Sequence, residues 1–224
     1  MTVKPSDQNT GERQDADPGA APDERGDAEF VAALATSADE GRLAALHERL
    51  AATAQGEGLL DVAFRTVDSP VGDLLIASTD AGLVRVAYPN QGHDAALAAL
   101  AEQVSPRILR APRRLDEVAR QLDEYFAGRR HLFDLPLDLR LAHGFRREVL
   151  EHLRDIGYGA TASYAAVAAA SGHPAAVRAV GTACARNPLP IVVPCHRVVR
   201  SDGSMGGYAG GPEAKHILLA LEAA

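Results

Sequence analysis

Pro188, Pro190 and Pro194 fix the backbone of one short stretch, Asn187 to Val199. Each proline holds φ near one value and removes a backbone donor. Any helix that reaches Asn187 must therefore end there. Beyond it lies an apolar run, Ile191-Val192-Val193, stopped by Pro194, and then Cys195, His196 and Arg197. A cysteine alone would be ordinary core filler, since Cys is among the most buried residue types. An adjacent histidine and arginine are different, because a packed core would have to pair them. The stretch reads as a reactive thiolate held at the edge of a core.

The 224 residues suit one larger domain or two small ones. Cys184 and Cys195 are the two cysteines, with no C-x-x-C pair, which argues against a disulfide framework and a cysteine-rich zinc site. The start, Met1 to Asp7, is polar rather than a secretory leader, and no stretch reaches the apolar length of a membrane span. The expectation is a cytoplasmic protein with no membrane association and no metal. The net charge of −7 is unevenly placed. Residues 1–58 hold 12 acids and 5 bases, residues 59–139 hold 12 and 9, and residues 140–224 hold 6 and 9. The part carrying Cys195 is thus mildly basic, which permits DNA binding without demanding it.

Residues 1–27 are rich in Asp, Glu, Pro, Gly and Ala and are expected to be disordered. Asp27 to Gln55 has one or two amphipathic helices, broken near Thr36 to Asp39. Three apolar runs come next, Leu60–Val67, Asp73–Ser78 and Gly82–Tyr88, separated by Asp-Ser-Pro-Val-Gly and Thr-Asp-Ala-Gly. Those are turn chemistries, so the runs predict a β-meander. Helices are expected over His93–Val104 and Arg113–Phe126, and nothing in 59–139 looks chemically poised. Phe145–Ile156 is amphipathic. Ser163 or Thr161 can cap a helix over Tyr164–Ala170. A Ser171-Gly172-His173-Pro174 turn then leads to a small-residue helix over Ala175–Arg186, from which Arg178 projects. Helix, glycine turn, helix fits a helix-turn-helix, although an ordinary helical hairpin has the same pattern. A last helix runs from Glu213. The fold class is α+β: a small antiparallel-sheet-plus-helices domain over 59–139, then a mostly α, winged-helix-like domain over 140–224. Residues 1–58 form an acidic extension.

Several familiar sites fail on spacing. Gly211 is followed by Pro212 where a phosphate-cradling loop needs Lys. Val198 stands where a zinc deaminase needs its second cysteine. No H-E-x-x-H occurs. His196 directly follows Cys195, so ring and thiol need not face each other, and coupling through one water is the natural arrangement.

The run Asn187 to Val199, then Gly206-Gly207-Tyr208-Ala209-Gly210-Gly211, Lys215 and Leu218 to Glu222, resembles the O6-alkylguanine-DNA alkyltransferase family. Ser163-Tyr164 and Arg178-Ala179-Val180-Gly181 resemble its helix-turn-helix, and Ser69 to Gly72, Leu122 to Gly128 and Phe133 to Leu137 extend the likeness across residues 59–224. The resemblance implies direct, irreversible transfer of an alkyl group from guanine O6 in double-stranded DNA, with O4-alkylthymine a further possible substrate, to Cys195. The transfer runs once per molecule, without cofactor, by a monomer. It implies that His196 takes the thiol proton through a water, Glu222 orients His196, Asn187 is the hinge and Tyr164 protonates the leaving guanine. Val198, Tyr208 and Ala209 would line the base pocket, with Lys215 near Tyr164. Arg178 would fill the gap left by the flipped nucleotide, on a DNA-contacting surface with His173, Ala176, Val177, Ala179 and Gly181. Arg146, Arg147 and Arg186 are candidate phosphate contacts. The chain departs from the family's pattern at Leu150, Leu141 to Gly144, His173 and Ala209. Cys184 reads as a packed small residue rather than a second acceptor.

Two other classes of function compete with this one. A non-enzymatic damage-recognition module lacks the acceptor cysteine, which this chain has. A helix-turn-helix regulator with a redox-sensing cysteine leaves Tyr164, Arg178, Asn187 and Glu222 unexplained.

Overall fold

The computed structural model describes residues 41–223. The expected disorder of 1–27 and the expected helix break near Thr36 to Asp39 lie outside them. The chain divides into two units, Met1–Ala44 and Ala45–Ala224, and the second holds the sheet and the site.

Residues 41–56 are helical (α1), and Ala51 and Ala54 enter the main core. The meander forms as the turns dictate, with β1 Val62–Val67, β2 Leu74–Thr79 and β3 Gly82–Ala87 paired antiparallel. Helix α2 (His93–Gln103) returns the chain to β4 (Ile108–Arg110), which pairs parallel with β1. The sheet order is β3-β2-β1-β4, so the sheet is mixed rather than wholly antiparallel. Three residues carry too little pattern for β4 to be seen in sequence. Helix α3 (Asp116–Phe126) buries Val118, Leu122 and Tyr125.

The outer edge of β3 is covered. Leu83 donates to the Pro136 carbonyl at 2.9 Å and accepts from Asp138 N–H at 2.8 Å. Val86 N–H donates to the Pro188 carbonyl at 2.8 Å, so the proline-bound stretch is moored to the sheet.

Helix α4 (Phe145–Leu153) buries Val149, Leu150 and Leu153. Ser163 caps α5 (Tyr164–Ala170) by accepting from Ala166 N–H at 3.0 Å, as its sequence position implied; such a cap contributes about 1 kcal/mol. The turn at Gly172, with φ 76°, leads to α6 (Val177–Ala185), where Val180, Ala183 and Cys184 face inward while Val177, Arg178 and Ala179 face out. β5 (Ala162–Ser163) pairs parallel with β6 (Val198–Val199), and α7 (Gly211–Glu222) closes the chain. A single apolar cluster runs from Leu74, Tyr88 and Tyr125 through Val149 and Leu150 to Cys195 and Leu218.

Candidate active site

The proline-bound stretch places its residues by strain and mooring. Ile191 is buried with φ 74°, a region that β-branched residues rarely enter. The turn brings Val193 back to Asn187, whose Nδ2 donates to the Val193 carbonyl at 2.8 Å and to Cys195 Sγ at 3.1 Å. Asn187 Oδ1 accepts from Leu189 N–H at 2.9 Å. Asn187 is thus bonded to the chain on both sides of Ile191 and to the thiol.

Cys195 is 2 % exposed and belongs to the main core. This corrects the expectation of a thiolate at the core's edge. Burial pushes the thiol up to about 11, while Asn187 and the charge of Lys215 act against it. At neutral pH the resting residue is a thiol, and a base has to remove its proton.

The ring next to Cys195 in sequence, His196, is held by the last helix. His196 is fully buried, and its Nε2 lies 2.9 Å from Glu222 Oε1. Arg197 grips the same carboxylate from two nitrogens, Nε to Oε2 and Nη2 to Oε1, each at 2.8 Å. Tyr125 Oη donates to Oε1 at 2.7 Å. Burial alone would raise the Glu222 carboxyl, but the bonds from His196 and Arg197 outweigh it and hold the group well below its usual range. Glu222 is therefore ionised and can only accept, so His196 must carry its proton on Nε2. Burial lowers the His196 pKa against the pull of Glu222, which keeps the ring neutral. Its Nδ1 is then a free lone pair, buried with no hydrogen-bond partner among the described residues.

Behind this line, Lys215 is fully buried and its Nζ donates to the Val198 carbonyl at 2.6 Å. Lys215 and Val198 therefore support β6 and do not form the wall of the open hollow nearby. That hollow, of about 550 Å³, is lined by Tyr164, Arg178, Gly181, Arg200, Gly206 and Tyr208, with Ala209 at the same wall. Tyr164 presses against Gly206 so closely that a Cβ there would lie 2.3 Å from its hydroxyl oxygen. Burial raises the Tyr164 phenol, so it stays protonated. Tyr208 shares a hydroxyl hydrogen bond of 2.8 Å with Tyr88, and its ring stands edge-on to His196 at 6.3 Å. Asn90 Nδ2 donates to the Ala209 carbonyl at 3.1 Å.

Of the residues singled out by sequence, Asn187 bonds Cys195 and Glu222 bonds His196, two pairs that meet only through the adjacent positions of Cys195 and His196. Tyr164, Tyr208 and Ala209 face the hollow with Arg178 and Gly181. Ala176, Val177 and Ala179 lie on the outer side of the helix-turn-helix, where the His173 ring meets Phe145 edge-on at 5.1 Å. Arg146 donates to the Leu141 carbonyl and Arg147 pairs with Glu151, so each already has a protein partner. The statement that nothing in 59–139 is poised fails, because Tyr125, Tyr88 and Asn90 all reach the site. Leu122 to Gly128 is among the stretches that carry the resemblance, and Tyr125 lies inside it. Among the described residues no cluster of candidate metal ligands occurs, and no helix is long and apolar enough to cross a membrane.

Two family models match the chain. That of the 6-O-methylguanine DNA methyltransferase ribonuclease-like domain covers residues 62–139, and that of the DNA-binding domain of the same enzyme covers 144–224. A methylated-DNA–protein-cysteine methyltransferase of Mycolicibacterium paratuberculosis is 42% identical over 161 residues, spanning 72% of this chain and 92% of that protein. The crystal structure of Mycobacterium tuberculosis O6-methylguanine methyltransferase superposes with a TM-score of 0.64 at 38% identity, over 72% of this chain and 93% of that one. A structure of the same organism's protein in complex with DNA also scores 0.64, at 37% identity over 72% and 92%. With its bonded Asn187–Cys195 and His196–Glu222 pairs on a matching fold, the chain belongs to the 6-O-methylguanine DNA methyltransferase family.

Proposed function

We propose that the protein repairs DNA by moving the alkyl group of O6-alkylguanine onto Cys195, once per molecule. The observation that carries the residue roles is the state of His196. Its Nε2–H is committed to Glu222 while Nδ1 is buried and unpartnered beside the acceptor residue. Nδ1 takes the Cys195 proton through one water. The sulfur then attacks the alkyl carbon, forming the C–S bond as the C–O6 bond breaks. The electron pair passes into the guanine, and the Tyr164 hydroxyl supplies the proton that makes it a neutral leaving group. Glu222, held by Arg197 and Tyr125, stabilises the imidazolium that forms.

Guanine O6 lies within the base stack, so the nucleotide must turn out of the duplex into the hollow. Arg178 then fills the vacated place, and the small residues of α6 let its backbone approach the DNA closely. The thioether is unreactive to water, so nothing regenerates the thiol. Nucleophile, base and acid are all side chains, and the reading includes a monomer working in the cytoplasm, with 59–139 and 140–224 as its two domains.

The test is peptide mass analysis after incubation with duplex DNA containing O6-methylguanine. One methyl group on the peptide holding Cys195, in no more than one equivalent per protein, is expected. No adduct, or an adduct mainly on Cys184, would overturn the reading.

A further inference from the structure

Arg200 is the feature of the hollow that the transfer chemistry does not use. It comes directly after β6 and opens a tight hairpin, where its N–H donates to the Ser204 carbonyl and its carbonyl accepts from Gly203 N–H, both at 2.9 Å. The backbone at the base of its side chain is therefore fixed to the strand that begins at Val198. The side chain is exposed and lines the hollow together with Tyr164 and Gly206. Among the described residues its guanidinium has no hydrogen-bond or ion-pair partner. The hairpin's own acid, Asp202, turns Oδ1 to the Ser204 N–H and hydroxyl, at 2.9 and 2.6 Å. Many other arginines of the chain are committed, for example Arg107 to Asp61, Arg114 to Asp80 and Arg130 to Glu124.

An exposed, unpaired guanidinium lining an open hollow calls for an anion that arrives with the base. A nucleotide turned out of a duplex carries its own phosphates with it. Guanidinium matches phosphate with two parallel hydrogen bonds, which fixes orientation as well as charge. Arg178 cannot serve both purposes, since its side chain is the one that enters the stack.

We propose that Arg200 is a phosphate anchor for the everted nucleotide, gripping the backbone next to the damaged base so that the base stays in the hollow while Cys195 reacts. The assignment rests on the alkyl-transfer reading. It makes Arg200 a positioning residue for DNA and not a participant in the chemistry. Its side chain shares the wall of the hollow with Tyr164.

The test compares two substrates, duplex DNA containing O6-methylguanine and the free base O6-benzylguanine, which has no phosphate. For Arg200→Ala the transfer rate constant on duplex DNA should fall about tenfold at moderate salt. The slope of log affinity against log salt should become shallower by about 0.9, the value for one lost phosphate contact. The free-base rate should fall much less, so the ratio of the two rates drops. Arg200→Lys should restore the salt slope and only part of the duplex rate, because a point charge lacks the paired geometry. Equal losses on both substrates, or a salt slope unchanged in Arg200→Ala, would overturn the proposal and assign Arg200 to base binding or to the hairpin fold. Failure of the unaltered protein on both substrates would instead strike the alkyl-transfer reading.

Discussion

The Tyr125 hydroxyl donates to Glu222 Oε1 at 2.7 Å, joining α3 to the last helix across 97 positions of sequence. The sheet-bearing half of the protein is thereby wired to the carboxylate that holds His196. Oε1 also receives His196 Nε2 and Arg197 Nη2, so the carboxylate survives the loss of any one donor. In Tyr125→Phe we expect a stability loss of about 1.5–3 kcal/mol, the worth of one hydrogen bond to a charged group. Methyl transfer should slow severalfold. Denaturant unfolding that leaves the variant as stable as the unaltered protein would remove this link.

Acid–base behaviour separates a waiting thiolate from a base-driven thiol. His196 is held neutral by burial, below its ordinary value of 6.5. Transfer should therefore be level from about pH 7 to 9 and fall only on the acid side. His196→Ala should instead follow the thiolate population, rising about tenfold per pH unit toward the Cys195 value of about 11. A level profile in that variant would show that His196 is not the base.

Stability should follow the same two groups. His196 and Glu222 both have lowered pKa values in the fold. The unfolded chain then binds more protons than the folded one as pH drops, so acid favours unfolding. Loss should begin as pH falls through the ordinary histidine value of 6.5 and deepen below the ordinary Glu value of 4.5. His196→Asn should flatten the upper part of that curve, as read from urea midpoints across pH.

Gly206 is held by contact, not by a special backbone angle. An added Cβ would meet the Tyr164 hydroxyl oxygen at 2.3 Å and its ring carbons at 2.9 and 3.0 Å. Tyr164 borders an open hollow and can swing aside, so Gly206→Ala should fold yet lose about tenfold or more in transfer rate, as displacement of a positioned group implies. Combined with Tyr164→Phe, the two effects should not add. Additive losses would mean that Gly206 acts elsewhere.

The acceptor sits in a full core, and the reaction leaves a group there. Adding methylenes to a packed interior costs about 1–3 kcal/mol, which in a chain of this size lowers the melting temperature by about 2–4 °C per kcal/mol. Calorimetry before and after one equivalent of methylated DNA should show the drop. An unshifted transition would mean that space opens beside Cys195.

How much of this the sequence discloses depends on distance along the chain. Ser163 caps α5 as read, because a cap involves neighbouring residues. The meander and the helix-turn-helix appear where turn residues place them. Cys195, His196, Asn187 and Glu222 come from motif resemblance, and the structure bonds them as two pairs, Asn187 with Cys195 and His196 with Glu222. Tyr125 and Tyr88 stay hidden, because a buried tyrosine on an apolar helix face or at a strand end looks like packing until its partner is known. β4 is too short to show a period. Ile191 gives no warning of its φ, since a β-branched residue between prolines suggests extended chain.

The mooring of Val86 to Pro188 has a second effect. With Pro136 and Asp138 at Leu83, it occupies the outer edge of β3, the long rim on which a strand from another molecule could add. The opposite rim is β4, three residues long and trailed closely by Pro112. The loop that presents the thiol is therefore also a guard against intermolecular sheet growth. Loosening of that loop in a reacted molecule would uncover the Val86 N–H and give neighbouring chains a strand to pair with.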